Sequence, residues 1–410
     1  MSGASALLSG FTVLDFSRVL AGPYCTRLLA DLGAGVIKVE RPGVGDDTRR
    51  GFLQLEPGRD DQSTYFVRIN AGKRSIAVDL GHPSGREVAV DLARAADVVV
   101  ENFAPGVMTR LGLDHAALAA VRPGLVYCSI SCFGQTGPLR ERPAFAHIIQ
   151  SVSGLMQLEQ GGEPPRVLYL QAADVLAGTH AFGAILAALL RRGKTGEGAY
   201  LDVSMLETLV AAEDLTFGSL LNGGEDVPGP RKGMIVHAIG GRYVTMQTVG
   251  APDLWARATT AMGRPELAED PRFATPAGRR DNWEALRALF EKWLDGFATA
   301  DEALAAMTAA RIPCAPVLSP AEVIAHPHLA ARGGFPGIPH PARGTVRVTR
   351  TPFQVDGDPV DPAGAAPYRA GEHTREVLAE LLGYAPDRID DLLKRGAVAA
   401  PAGPASDPPV

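Results

Sequence analysis

The sequence predicts an α/β fold: a large doubly wound, Rossmann-like domain and a smaller α+β domain. Three observations carry that reading. Apolar runs of strand length alternate with helix-length amphipathic runs through the first half of the chain. A glycine- and proline-rich stretch, Asn222 to Lys232, marks a composition shift. At 410 residues the chain also exceeds what one hydrophobic core usually serves.

Taken in order, Phe11 to Phe16 reads as the first strand and Tyr24 to Leu32 as the first helix. Val36 to Glu40 and Ser75 to Leu80 follow as strands, Gly85 to Ala96 as a helix, and Val98 to Glu101 and Leu125 to Ser131 as strands. Gly134 to Pro165, rich in Gly, Pro and charge around the apolar island Ile148 to Leu158, is a candidate active-site loop region. Leu176, Ala177, Phe182, Ile185, Leu186 and Leu189 recur at helical spacing, which predicts a buried helix from Asp174 to Arg192 with Asp174 in its first turn. Arg191 to Gly198 reads as a turn and Tyr200 to Val203 as a short strand. Ser204, three residues before Glu207, opens a helix with a capping box.

The large domain is thus expected over 1–222 and the small one over 223–332. The latter has a hairpin over Met234 to Thr248 turning at Gly240-Gly241, helices at Trp255 to Met262, Asn282 to Leu294 and Asp301 to Ala310, and a strand at Pro313 to Leu318. Residues 333–398, with short helices around Glu372 to Leu382 and Asp387 to Lys394, are expected to return to the large domain, and 399–410 to form a disordered tail.

Composition excludes several functions. A net charge of −6 provides no basic field for nucleic acid. No run of 18 apolar residues and no basic leader at Met1 to Gly10 is present, so a soluble cytoplasmic protein without membrane contact is expected. The four cysteines form no C-x-x-C pair, and no metal is expected. The turn Ser17-Arg18-Val19-Leu20-Ala21-Gly22-Pro23 lacks the G-x-G-x-x-G spacing of a dinucleotide site. Neither a G-x-S-x-G elbow nor an H-E-x-x-H helix occurs. His180 lies roughly 600° around the helix from Asp174 and reads as a packed helix residue.

Asp174 keeps two readings: a carboxylate that caps a helix, which local sequence alone favours, or a nucleophile. Arg18, Arg41, Lys73, Arg74 and Arg110 fall near predicted strand ends, where ligands gather in an open α/β sheet; each also reads as an ordinary solvated charge. Glu101-Asn102-Phe103-Ala104-Pro105-Gly106 follows a strand directly, where a ligand-contacting loop belongs.

Several blocks resemble one family. Val13 to Pro23, Asp31 to Pro42, Lys73 to Ile76, Glu101 to Phe103, Gly134 to Pro138, the Asp174 helix and Thr195 to Gly198 are similar, in that order, to class III CoA-transferases of the formyl-CoA and carnitine CoA-transferase type. The resemblance runs from about Phe11 to Ala397. It implies an interlocked homodimer that moves CoA from an acyl-CoA to a carboxylic acid, with no cofactor beyond CoA. It makes Asp174 the covalent nucleophile and Arg18, Ala21, Arg41, Lys73, Arg74, Asn102, Phe103 and Arg110 the CoA contacts, with Leu20, Phe133 and Phe145 beside the substrate. A glycine-bearing loop would supply oxyanion donors, and Gly223 to Lys232 is the candidate. The same fold hosts α-methylacyl-CoA racemases, whose two-base chemistry uses a histidine where Phe145 stands here. His147 is two residues away, and a non-catalytic CoA-binding relative is the third reading. Ala146 stands where transferases of this family often carry an acid, and Leu20 and Arg18 stand where formyl-CoA transferases carry glutamine and histidine, which speaks against an oxalate-type substrate. Arg18 would instead pair with an acceptor carboxylate or with CoA, favouring a larger acid or a dicarboxylate.

Overall fold

Valine- and isoleucine-rich strands with few polar positions suit a parallel sheet buried on both faces, and the large unit is built on such a sheet. The computed structural model describes residues 6–159, 164–225, 232–249 and 253–401. Six strands run parallel: β1 (Thr12–Asp15), β2 (Gly35–Glu40), β3 (Arg74–Val78), β4 (Val98–Glu101), β5 (Val126–Ser131) and β6 (Ala199–Ser204). Their order is β3-β2-β1-β4-β5-β6, and Val398–Ala399 adds an antiparallel edge strand outside β3. The order therefore reverses between β1 and β4, the switch point at which open α/β sheets leave a ligand crevice.

Side chains alternate between two cores. Val98, Val100, Val126, Cys128 and Ile130 face the helices Ala21–Asp31 and Ala172–Thr195. Leu14, Ile37, Ile76, Val99 and Tyr127 face Pro83–Ala95 and the late helices Thr374–Glu380 and Pro386–Lys394. The helix Ala172–Thr195 has 24 residues and a mean hydropathy of 1.6 in its most apolar window, enough by length and composition to cross a membrane. Its Ala173, Ala177, Ala181 and Ile185 are buried in the first core, as a helix covering a sheet requires.

The second unit takes in Gln157–Pro165 and Asp226–Pro327, so its limits shift from 223–332, and the first unit holds the remainder. The expected hairpin is present as Met234–Ile239 and Arg242–Gln247, joined by Cys314–Pro316 as a third strand. Gly240 and Gly241 both take positive φ, as a two-residue hairpin turn demands. Trp255, Phe273 and Phe290 anchor its separate core.

Other boundaries moved for local reasons. The first helix starts at Ala21, because Pro23 is tolerated in a first turn whose N–H groups have no helical partner. Arg191 to Thr195 is helix, not turn; Gly196 ends it at φ 76°. Ser204 accepts the Glu207 N–H at 3.3 Å, one half of the expected capping box. His180 is exposed instead of packed, with Nδ1 2.9 Å from the Leu176 carbonyl oxygen. Ala399 is paired with β3 and so does not belong to a tail; 402–410 lie outside the described residues.

Candidate active site

The turn after β1 is held from four sides. Asp15 Oδ1 accepts the Ser17 N–H at 2.9 Å, Lys38 Nζ donates to the Ser17 carbonyl at 2.8 Å, and Asp46 Oδ1 accepts the Val19 N–H at 3.3 Å. Asn102, just past β4, completes the clamp. Its Oδ1 accepts the Arg18 N–H and its Nδ2 donates to the Arg18 carbonyl, both at 2.8 Å. Val19 sits at φ 68°, a strained value for a β-branched residue that only such over-determination sustains. Gly22 permits the chain to turn into the helix, since a Cβ there would lie 2.2 Å from the Ser17 Cβ.

That helix has no side-chain cap, and its N-terminus serves Asp174. The Ala21 N–H donates to the Asp174 carboxylate, which also takes its own backbone N–H. Asp174 lies in the first turn of Ala172–Thr195, while Gln171 occupies the N-cap position, so capping does not by itself account for the acid. Gly178, one turn on, lets the two helices touch: a Cβ there would fall 2.5 Å from the Ala21 carbonyl oxygen. Burial pushes the Asp174 carboxyl up, the Ala21 N–H and His147 oppose it, and the result is about 6. Such a group is ionised at neutral pH yet poorly solvated, the state in which a carboxylate is most reactive.

His147, Tyr65 and Cys132 also lie within electrostatic reach of Asp174. His147 Nε2 is 3.3 Å from Gln171 Nε2, and the Gln171 Oε1 is buried without a partner. A flipped Gln171 amide would present its oxygen to the imidazole N–H and satisfy both groups. Tyr65 stacks on Phe52 with ring centroids 4.7 Å apart. Tyr65 was invisible in the sequence because it approaches Asp174 from a separate element, the helix Thr64–Asn70.

A cavity of about 580 Å³ opens at the carboxyl ends of β1 to β4, lined by Phe16, Arg18, Glu40, Arg41, Val78 and Phe103 among others. Arg18 stands over the Phe103 ring at 5.1 Å, and Arg18 and Arg41 share the exposed Asp47 at 3.5 and 3.1 Å. So solvated a pairing is weak and readily exchanged for another anion. Arg110 is exposed on Val107–Leu111 and makes no ion pair among the described residues.

Three expected CoA contacts are placed differently. Lys73 is fully buried and donates to Asp15, Thr26, Asn70 and the Pro23 carbonyl at 2.7 to 3.0 Å, so its ammonium has no donor left for a ligand. Burial pushes Asp15 up, but Lys73 and Lys38 outweigh it and hold the carboxyl at about 2. Arg74 turns to Glu376 and Glu380 at 3.3 Å each, and it does not line the cavity. Asn102 spends its amide on the Arg18 backbone. Leu20 is buried at the helix entry, Phe133 is half-buried beside the first core, and Phe145 is 78% exposed. The loop Gly223 to Lys232 includes 226–231, which lie outside the described residues. No group of three or more potential metal ligands occurs among the described residues.

Sheet order and switch-point cavity together define a doubly wound α/β protein. The model for CoA-transferase family III matches residues 8–374, and the chain belongs to that family. It is 33% identical over 404 residues to the succinyl-CoA:glutarate CoA-transferase of Homo sapiens, covering 95% of this chain and 90% of that protein. It is 36% identical over 368 residues to the acetyl-CoA:oxalate CoA-transferase of Acetobacter aceti, covering 87% and 91%. Among solved structures, a CAIB/BAIF family protein from Brucella suis superposes with a TM-score of 0.78 at 34% identity, covering 92% of this chain and all of that one. Rv3272 from Mycobacterium tuberculosis gives 0.80 at 31% identity, covering 91% and 99%.

Proposed function

We propose that this CoA-transferase family member moves CoA between an acyl-CoA and a carboxylic acid with Asp174 as its covalent nucleophile. The observation that supports it is the placing of one half-buried carboxylate against the Ala21 N–H, directly after the Arg18 turn that lines the cavity. In the first step an Asp174 oxygen attacks the thioester carbonyl, the C–S bond breaks, and CoA leaves as thiolate. The thiolate then attacks the aspartyl carbonyl of the mixed anhydride, expelling the donor carboxylate and leaving an aspartyl–CoA thioester. An acceptor carboxylate repeats the sequence in reverse and leaves as its CoA ester. Protons, ATP and metal do not enter the balance.

Holding the carboxylate against a bound thioester supplies effective concentration worth about 7–11 kcal/mol at most. Water has to be excluded, because both intermediates hydrolyse. Phe145, Val167, Tyr169 and Leu170 are exposed apolar residues preceding the Asp174 helix; burying them in an interlocked homodimer would shield the acid. Arg18 and Arg41 would hold CoA phosphates and Phe103 its adenine, with Arg110 exposed on the helix whose Val107 and Leu111 line the same cavity. The succinyl-CoA:glutarate and acetyl-CoA:oxalate CoA-transferases each name a dicarboxylate, and on that likeness we assign this chain a dicarboxylic substrate. The reaction is placed in the cytoplasm.

Incubation with acyl-CoA and hydroxylamine should leave a hydroxamate on the Asp174 peptide, read by mass spectrometry. Asp174→Asn should abolish turnover and retain CoA affinity; full activity in that variant overturns the mechanism, and CoA binding without any hydroxamate marks a non-catalytic relative. A second reading, racemase, is favoured by His147 lying beside Asp174 as a second base. It requires a 2-methylacyl-CoA to take up solvent deuterium with no free acid present.

A further inference from the structure

A second cavity, of about 270 Å³, lies beside β4, β5 and β6 and the helix His115–Val121. By strand alternation Glu101 and Ser129 share the sheet face of Val99 and Tyr127, opposite the helix of Asp174. The proposed chemistry does not use it. Glu101, 3% exposed, lines it, accepts the Phe103 N–H at 2.8 Å, and pairs with no basic side chain among the described residues. None of the lining residues is lysine or arginine. Asp114 lines the same space, and Asp202 adds its field while accepting the Gln135 N–H at 2.9 Å. The remaining walls combine aromatic and apolar side chains with the neutral polar Thr109, Ser129 and Gln135. His115 stacks on Tyr200 with centroids 5.1 Å apart, Tyr127 lies 6.0 Å from both rings, and Met108, Ala104 and Ala116 are among the apolar lining residues.

A buried carboxylate without a counter-charge is costly, and a carboxylate in an aromatic-walled pocket suits an ammonium group with a hydrocarbon body. We propose that this cavity binds a small organic cation, a protonated amine with a short apolar chain, through Glu101.

Burial pushes Glu101 up to about 7 against the Ser129 and Phe103 hydrogen bonds, so a proton is the competitor an amine has to displace. Of the other groups facing it, His115 is pushed down by burial, and Tyr127 and Tyr200 are pushed up, so all three stay neutral between pH 7 and 8; Asp114 and Asp202 are the remaining acids.

The test is calorimetric titration of the whole protein with n-butylammonium chloride at constant ionic strength, with sodium chloride and n-butanol as controls. Saturable binding of the amine, absent for both controls, is expected. Its affinity should fall toward tenfold per pH unit below about 7. Glu101→Gln should weaken it at least tenfold and Asp174→Asn should not change it. Should Glu101→Gln fail to fold, Ala116→Leu, which fills the cavity from its exposed rim, should weaken binding severalfold. Equal binding of n-butanol, a flat pH dependence, or unaltered affinity in Glu101→Gln or Ala116→Leu overturns the proposal.

Discussion

Asp174 carries its chemistry in one number, and the sign of that number is testable. Its carboxyl is raised from the ordinary carboxylate range to about 6, by burial first and despite the Ala21 N–H. Acylation, measured in a single turnover, should therefore rise with pH through about 6 and level off, falling about tenfold per unit on the acid side. Stability runs the other way. The folded state holds this proton more tightly than the unfolded chain, so the contribution is full near pH 4 and is lost as pH rises through about 6. Asp174→Asn should stabilise the protein by about 2 kcal/mol at pH 8 and by almost nothing at pH 4, checked by urea titration. The sequence marked this acid and its helix, and it marked Arg18 and Arg41 on the cavity wall. It did not show which way Lys73 and Arg74 turn. Those orientations are set by Asp15 and by Glu376 and Glu380, far off in the chain.

Two elements are brought together by what they lack. Gly22 and Gly178 remove side chains where the first helix meets the turn and where it meets the Asp174 helix. Gly178→Val should force the helices apart, costing about 2 kcal/mol and removing most turnover, because the Ala21 N–H moves with its carbonyl. Thermal melts and a CoA-exchange assay separate the two effects. Asn102→Ala should release the Arg18 turn, with stability falling by about 2 kcal/mol for the two lost hydrogen bonds and KM for acyl-CoA rising about tenfold. An Asn that contacted ligand alone would leave the melting temperature unchanged. Periodicity and turn chemistry revealed the six parallel strands and the longer helices, but not short helices such as Thr64–Asn70, Val107–Leu111 and His115–Val121. Helix ends were less legible: Thr195 extends a segment whose composition reads as a turn, since Gly196, not Gly193, takes the left-handed conformation.

At the scale of the whole molecule the large unit is discontinuous, and its last piece closes the sheet. Val398 and Ala399 pair with Val78 and Ala77, and the Ala397 carbonyl accepts the Asp79 N–H at 2.9 Å. A stop codon after Arg395 removes these bonds and unpairs an edge, and should lower the melting temperature by several degrees and increase aggregation, followed by light scattering. The two-residue strand could not be read from sequence, being too short for any period to register. It also bears on biosynthesis. On a ribosome adding about 5–20 residues per second, β3 waits tens of seconds for its outer neighbour, whereas Asp226–Pro327 is contiguous and can acquire its own core as it leaves the exit tunnel. During that interval the bare margin of the nascent sheet is the surface a chaperone would have to guard.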